Sequence, residues 1–348
     1  MNYTVIKKLP STEGIIQAFP LSDAGYESVA RHKQEVKDIL AGKDNRLLIV
    51  VGPCSAWPHQ AVLDYAKKLC KLEEKFRKEL KIVMRVYIQK PRTTKGWTGP
   101  VNQPDPFSPP DIEEGIRYAR SLMVQIIEMG LPISDEALFT HNAKGFIELL
   151  SWVAIGARST EDQEHRIFAS AIECPVGMKN PTSGQIELGV NSILAAQHGH
   201  TAVFNGYQVE THGNPYAHLV LRGGLDRPNY HVEDLYKAKK FLEKHQVLNP
   251  AVVIDASHDN CKIDGVKDPI QQINVAHEVL AALKLYPDLR KLMKGFMFES
   301  FLKSGAQKLE SVTAESVDLS GLSITDPCLS FDQTEKLLEE IAEQWKSL

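Results

Sequence analysis

No part of this 348-residue chain approaches the ~20 consecutive apolar residues of a membrane span. No charged segment leading into an apolar one opens it either, so the sequence reads as that of a cytoplasmic protein. Cysteine is sparse. Cys54, Cys70, Cys174, Cys261 and Cys328 are odd in number and widely scattered, with no CxxC, which points to free thiols in a reducing compartment. Excess charge is missing as well: a net charge of -4 and a pI near 6.3 argue against a general nucleic-acid or anionic-membrane binder. Any basic cluster is therefore local and favours a small anionic ligand. Repeats and low-complexity segments are absent, and no GxGxxG opens the first strand–helix junction. What is present, 43% hydrophobic and 24% charged residues, suits a globular protein of one large domain or two ordinary ones.

The densest chemistry lies in residues 85–99, RVYIQKPRTTKGWTG. Four cations (Arg85, Lys90, Arg92, Lys95), three threonines and two glycines follow an apolar run that reads as a short buried strand. Pro91 and the glycines cannot continue that strand. Cations and hydroxyls leaving a strand end suit a loop that binds phosphate or carboxylate oxygens, and they equally suit a solvated basic loop.

From residue 47 the chain keeps a rhythm of short apolar run, polar loop and longer amphipathic segment. The runs are 47–51, 82–87, 131–134, 152–157, 175–178, 201–204, 252–254 and 296–298. Helix candidates between them cover 61–79, 112–129, 143–150, 161–171, 185–196, 232–244, 270–285 and 331–345. The last resembles a capping box built on Asp332 and Glu335. Eight alternations predict an α/β fold, a (β/α)8 barrel spanning 46–348. Residues 1–45 read as an N-terminal extension with a helix over 28–40, suited to subunit contacts. A further apolar run at 218–221 implies an inserted hairpin or a broken sixth strand.

Polar residues collect directly after the apolar runs, at the strand ends that share one mouth in a barrel. Arg85, Lys90, Arg158, Lys179 and Arg222 form a cationic set, which calls for anionic substrates bearing phosphate. Cys54, His258, Glu299 and Asp326 offer sulfur, nitrogen and oxygen donors for a divalent transition metal, although a buried Cys or His is often only packing.

At these residues the chain closely resembles the class I DAHP synthases (3-deoxy-D-arabino-heptulosonate 7-phosphate synthases). The matching pieces are LLIVVGPCS, IVMRVYIQKPRTTKGW, SWVAIGARSTEDQEHR, CPVGMKN, HLVLRGG, IDASHDN, FMFES and SITDPC, in that order. The resemblance implies condensation of phosphoenolpyruvate with D-erythrose 4-phosphate, the first step of the shikimate pathway. It implies that Arg85, Lys90, Ala157, Arg158, Lys179 and Arg222 hold phosphoenolpyruvate, and that Arg92 and Thr93 hold the aldose phosphate. Cys54, His258, Glu299 and Asp326 would bind one divalent metal ion such as manganese, iron or cobalt. Lys90, Glu136, Lys179 and His258 would be catalytic, in a homodimer or homotetramer that engages neither nucleic acid nor membrane. Condensation with another aldose phosphate, or a non-catalytic paralogue binding a partner enzyme, are the alternatives.

The chain departs from the family pattern in segments 56–59 and 100–110. The segment after residue 205 is also shorter than in feedback-regulated members, and Glu173 stands where they have serine. A carboxylate suits an aromatic effector pocket poorly, so weak or absent inhibition by Phe, Tyr and Trp is expected.

Overall fold

The computed structural model describes residues 1–92, 95–138, 145–204 and 206–348. Short strands rich in Val, Ile and Leu are buried along their whole length, as a parallel sheet covered by helices requires. In chain order the elements are α1 (Thr12–Ala18), α2 (Asp23–Leu40), β1 (Leu47–Gly52), α3 (His59–Phe76), β2 (Leu80–Arg85), α4 (Ile112–Glu128) and β3 (Ile133–Glu136). Then come β4 (Leu150–Ile155), α5 (Gln163–Ala171), β5 (Val176–Lys179), α6 (Ile186–Gln197), β6 (Thr201–Phe204), β7 (Tyr207–Glu210), β8 (His218–Leu221) and α7 (Val232–Lys244). The chain ends with β9 (Val252–Asp255), β10 (Lys262–Ile263), β11 (Val266–Lys267), α8 (Gln271–Leu285), β12 (Met293–Glu299) and α9 (Phe331–Ser347).

Eight of these strands close into a parallel barrel in the order β1-β12-β9-β8-β5-β4-β3-β2. This is the expected (β/α)8 barrel, with three corrections of detail. The sixth barrel strand is 218–221, whereas 201–204 pairs with 207–210 as an inserted antiparallel hairpin outside the barrel. The hairpin residues are largely exposed while His218–Leu221 is fully buried, so burial separates the two runs where their sequences do not. The cap of α9 is built by Ser330 and Gln333, two residues earlier than Asp332 and Glu335. Of the helix expected over 143–150, residues 143–144 lie outside the described residues, Ile147–Leu149 is a single 3-10 turn, and Leu150 already opens β4. No helix among the described residues is long and apolar enough to cross a membrane.

The period of two along each strand sorts the core into an outer and an inner set. Leu47, Ile49 and Val51 pack outward under the helices, while Leu48 and Val50 join Val83, Trp152, Val220, Val253 and Met297 inside the barrel. Val36, Ile39 and Leu40 of α2 pack on that inner set, so α2 lies across the N-terminal end of the barrel as a plug. On β2 the inward positions are Lys81, Val83 and Arg85. Lys81 is fully buried at the plug, where its Nζ lies 2.6 Å from both His32 Nδ1 and Glu35 Oε2 of α2. Burial depresses the Lys81 pKa, and Glu35 offsets part of that shift.

Candidate active site

The alternation that places valines inside the barrel also places charge at its opposite end. Continuing the inward positions toward the C-terminal mouth gives Arg85 on β2, Glu136 on β3, Lys179 on β5, Asp255 on β9 and Glu299 on β12. Two steps beyond Gly52 is Cys54, and just past β8 is Arg222. These side chains meet at a cavity of about 450 Å³, whose wall carries nine lysines and arginines but only three carboxylates, Glu136, Asp259 and Asp326. Such an excess of cations in a partly closed space is costly without anions to neutralise it.

Donor atoms of Cys54, Glu299 and Asp326 all lie within 4.8 Å of one another. His258 Nε2 stands 3.8 Å from Glu299 Oε1, and its Nδ1 stands 2.9 Å from Asp255 Oδ2, an orienting carboxylate of the kind that metal-bound imidazoles use. Glu299 is itself held by Arg85 at 3.2 Å and by the Ser257 hydroxyl, which donates at 2.7 Å. Mixed sulfur, nitrogen and oxygen donors from four elements therefore converge, and the set fits one divalent transition ion.

The charges follow from this enclosure. Burial, reinforced by the Glu299 charge, pushes the Cys54 thiol up to about 12. Lys90 Nζ lies 2.6 Å from Cys54 Sγ and 3.3 Å from Asp326 Oδ2. Burial disfavours its charge, but Cys54, Asp326 and Glu299 outweigh this and raise its pKa well above the usual lysine value. Burial likewise works against the charges on Asp255 and Glu299. His258 and Lys179 hold the first ionised, and His258, Lys90 and Arg85 hold the second.

Glu136 is enclosed beside Lys179, with Oε2 3.8 Å from Nζ. A Cβ at residue 156 would stand 2.3 Å from Glu136 Oε1, so Gly156 leaves the space this carboxylate fills. Asp135, the next residue back, accepts hydrogen bonds from the backbone N–H groups of Ile88 and Glu136, yet burial still raises it to about 8. Gly223, at φ 83°, allows the backbone after β8 to press against Asp259, whose carboxylate holds Arg222.

Of the residues expected from sequence, Arg85, Lys90, Arg92, Ala157, Arg158, Lys179, Arg222, Glu136, His258 and Asp326 line this one cavity. Cys54 and Glu299 sit beside it, and Thr93 lies outside the described residues. Four further residues join them. Asp255 links Lys179 and His258, Asp259 holds Arg222, and Lys262 and Lys267 stand on the cavity wall. An acid three residues before a strand-end histidine was a legible sign for Asp255, and an Asp-Gly pair between short β-prone stretches was one for the hairpin bearing the lysines. The departing segments 56–59 and 100–110 touch where Trp57 Nε1 donates to the Pro104 carbonyl, and Trp57 also meets Trp97, just before the second segment, edge to face at 6.5 Å. Neither tryptophan lines the cavity.

Comparison with known proteins gives a consistent result. The DAHP synthetase I family matches residues 26–339. The chain is 39% identical over 338 residues to "Phospho-2-dehydro-3-deoxyheptonate aldolase, Tyr-sensitive" of Salmonella typhimurium, covering 96% of this chain and 92% of the relative. It is 41% identical over 331 residues to the Trp-sensitive enzyme of Enterobacter agglomerans, covering 93% and 91%. Among solved structures, the phospho-2-dehydro-3-deoxyheptonate aldolase of Francisella tularensis superposes with a TM-score of 0.92 at 36% identity, covering 99% of each chain.

Proposed function

The chain belongs to the DAHP synthetase I family, and from that premise we propose how its residues divide the work of the family reaction. That reaction joins phosphoenolpyruvate, D-erythrose 4-phosphate and water into DAHP and inorganic phosphate, a transferase step that opens the shikimate pathway to the aromatic amino acids. The family is metal-dependent. The observation that carries the assignment of roles is the meeting of Cys54, Glu299 and Asp326 at the edge of one strongly cationic cavity.

Phosphoenolpyruvate is held by the enclosed cations Arg85, Lys179 and Arg222 with Lys90, Ala157 and Arg158, while Arg92 and Thr93 receive the phosphate of the aldose. Cys54, His258, Glu299 and Asp326 would hold a divalent ion such as manganese, iron or cobalt, which supplies Lewis acidity toward the aldehyde oxygen. The methylene carbon of phosphoenolpyruvate attacks the aldehyde carbon, a C–C bond forms, and the ammonium of Lys90 gives its proton to the developing alkoxide. Water adds to the cationic C2 carbon and loses a proton to Glu136, which Lys179 holds in place. The resulting hemiketal phosphate breaks the bond from C2 to the phosphate's bridging oxygen as the C2 hydroxyl becomes the ketone, its proton leaving with phosphate. The proton held by Glu136 restores Lys90 for the next turnover. Excluding bulk water and fixing both anions are the parts that the buried arginines and lysines supply.

The test is phosphate release from the two substrates, with and without a chelator. Turnover that survives exhaustive chelation, or none on restoring manganese, would overturn the assignment.

Self-association is the finer expectation for partners, as a homodimer or homotetramer. Within the extension 1–45, α2 is built into its own barrel, whereas Tyr3, Val5 and Ile6 stay exposed, as do Val203 and Tyr207 on the inserted hairpin. Exposed apolar groups in both places support subunit contacts. A monomeric mass by light scattering would refute this.

A further inference from the structure

The link between β9 and α8 carries a small hairpin at the mouth of the cavity. β10 and β11 pair antiparallel around Asp264 at φ 49° and Gly265 at φ 79°, a turn that an Asp-Gly pair favours. Lys262 and Lys267 are direct cross-strand partners, so the pairing sets two like charges opposite each other, which destabilises a hairpin unless something offsets it. Both lysines line the cavity, while Ile263 and Val266 of the same strands are 46% and 71% exposed. Folding alone selects the reverse arrangement, with apolar residues inward and lysines outward.

Two carboxylates meet part of this charge. Lys262 Nζ lies 2.5 Å from Asp259 Oδ1, and Lys267 Nζ lies 2.8 Å from Asp326 Oδ2. An ammonium has three donors, and each lysine has one carboxylate partner among the described residues. Arg92 and Lys95 line the same cavity and have no acidic partner among those residues. Of the cations assigned to phosphoenolpyruvate, Arg85 and Lys179 lie deeper, 0% and 2% exposed against 24–28% for the hairpin side chains, while Arg158 is exposed. A second phosphate must therefore bind nearer the mouth, where these rim cations stand.

We propose that Lys262 and Lys267, facing each other across the hairpin, form with Arg92 the site for the phosphate of the aldose substrate, and so set the preference for a phosphorylated aldose over the free sugar. A dianionic phosphate shared by two ammonium groups turns their mutual repulsion into charge-assisted hydrogen bonds. The proposal rests on the reaction stated above.

The experiment is steady-state kinetics of Lys262→Met, Lys267→Met, the double variant and Lys267→Arg at saturating manganese. Manganese affinity of each is measured separately by calorimetry, because Lys267 touches Asp326. KM for erythrose 4-phosphate is expected to rise about tenfold in each Met variant, equivalent to ~1.4 kcal/mol, and further in the double variant. KM for phosphoenolpyruvate and the manganese Kd should stay within about twofold, because Asp259 keeps its pair with Arg222 and Asp326 its pair with Lys90 when the hairpin lysines are removed. The preference for erythrose 4-phosphate over D-erythrose should fall by the same factor as KM rises, and Lys267→Arg should retain most of it. An unmoved aldose-phosphate KM in the double variant, an equal rise for phosphoenolpyruvate, or a loss explained by weaker manganese binding would each overturn the site alone. No turnover of erythrose 4-phosphate by the unmodified protein would overturn the reaction and this site with it.

Discussion

Lys179 Nζ stands 3.1 Å from Asp255 Oδ2, an ion pair that reaches past β8, the strand lying between β5 and β9. Asp255 also faces His258, so one buried carboxylate fixes together the cation proposed for the substrate and the imidazole proposed for the metal. Asp255→Asn keeps the shape and removes the charge. It is expected to lower kcat and metal affinity by about 10- to 100-fold, the range seen when a partner of a metal ligand is lost. Calorimetric metal titration beside kcat checks this, and a kcat loss with unchanged metal affinity would assign Asp255 to Lys179 alone.

Gly156 is expected to matter through Glu136 and not through its own backbone. A methyl group there meets the Glu136 carboxylate at 2.3 Å and forces it from its place beside Lys179. Gly156→Ala should cost about 10²-fold in kcat, as small displacements of catalytic groups do. Since the carboxylate is the end of a flexible side chain, the melting temperature should fall far less than the activity. Equal kcat for the variant and the parent would remove Glu136 from the proton-transfer step.

Asp135 makes stability depend on pH. Burial raises its folded-state pKa to about 8, far above the ordinary aspartate value, so between those limits the folded chain binds more protons than the unfolded one. Its contribution is then fully present in acid and is lost as pH rises toward 8. Asp135→Asn, which can still accept from the Ile88 and Glu136 N–H groups, should be more stable than the parent at pH 8, by at least about 1 kcal/mol. The gap should close below about pH 4, where the aspartate is protonated in the unfolded chain as well. Denaturant melts at both values measure it, and a constant difference would show that Asp135 is ionised throughout.

Inhibition by aromatic amino acids should be weak. The relatives named Tyr-sensitive and Trp-sensitive share about two-fifths of this sequence. Here Glu173 is exposed and the β6–β7 hairpin is short. Initial rates with Phe, Tyr or Trp at sub-millimolar concentration are expected to stay close to the uninhibited rate. Half-inhibition by any one of them would overturn this expectation.

Sequence pattern carried the barrel because each buried strand is a short apolar run bounded by turns, and it carried most of the cavity because polar residues follow those runs. It failed where two runs had equal hydrophobicity. TAVF and HLVL read alike, and only burial shows that the first belongs to an exposed hairpin. The Asn-Gly pair directly after TAVF, a strong hairpin signal, favoured that answer. Asp332 and Glu335 have the spacing of a cap, yet Ser330 and Gln333 share it and were free to form the first turn. Lys262 and Lys267 escaped notice because five residues apart means nothing in sequence until a two-residue turn sets them face to face.

With α2 packed across the N-terminal end of the barrel, the cavity lies toward the opposite, C-terminal mouth. Whatever binds the buried Arg85 and Lys179 passes the more exposed rim cations on its way in and out. With Arg85 and Lys179 holding phosphoenolpyruvate and the rim cations the aldose phosphate, as proposed, the expected order of arrivals is phosphoenolpyruvate first and the aldose phosphate second. An unreactive aldose phosphate held at the rim should accordingly slow the escape of phosphoenolpyruvate bound beneath it, which exchange of labelled phosphoenolpyruvate would measure.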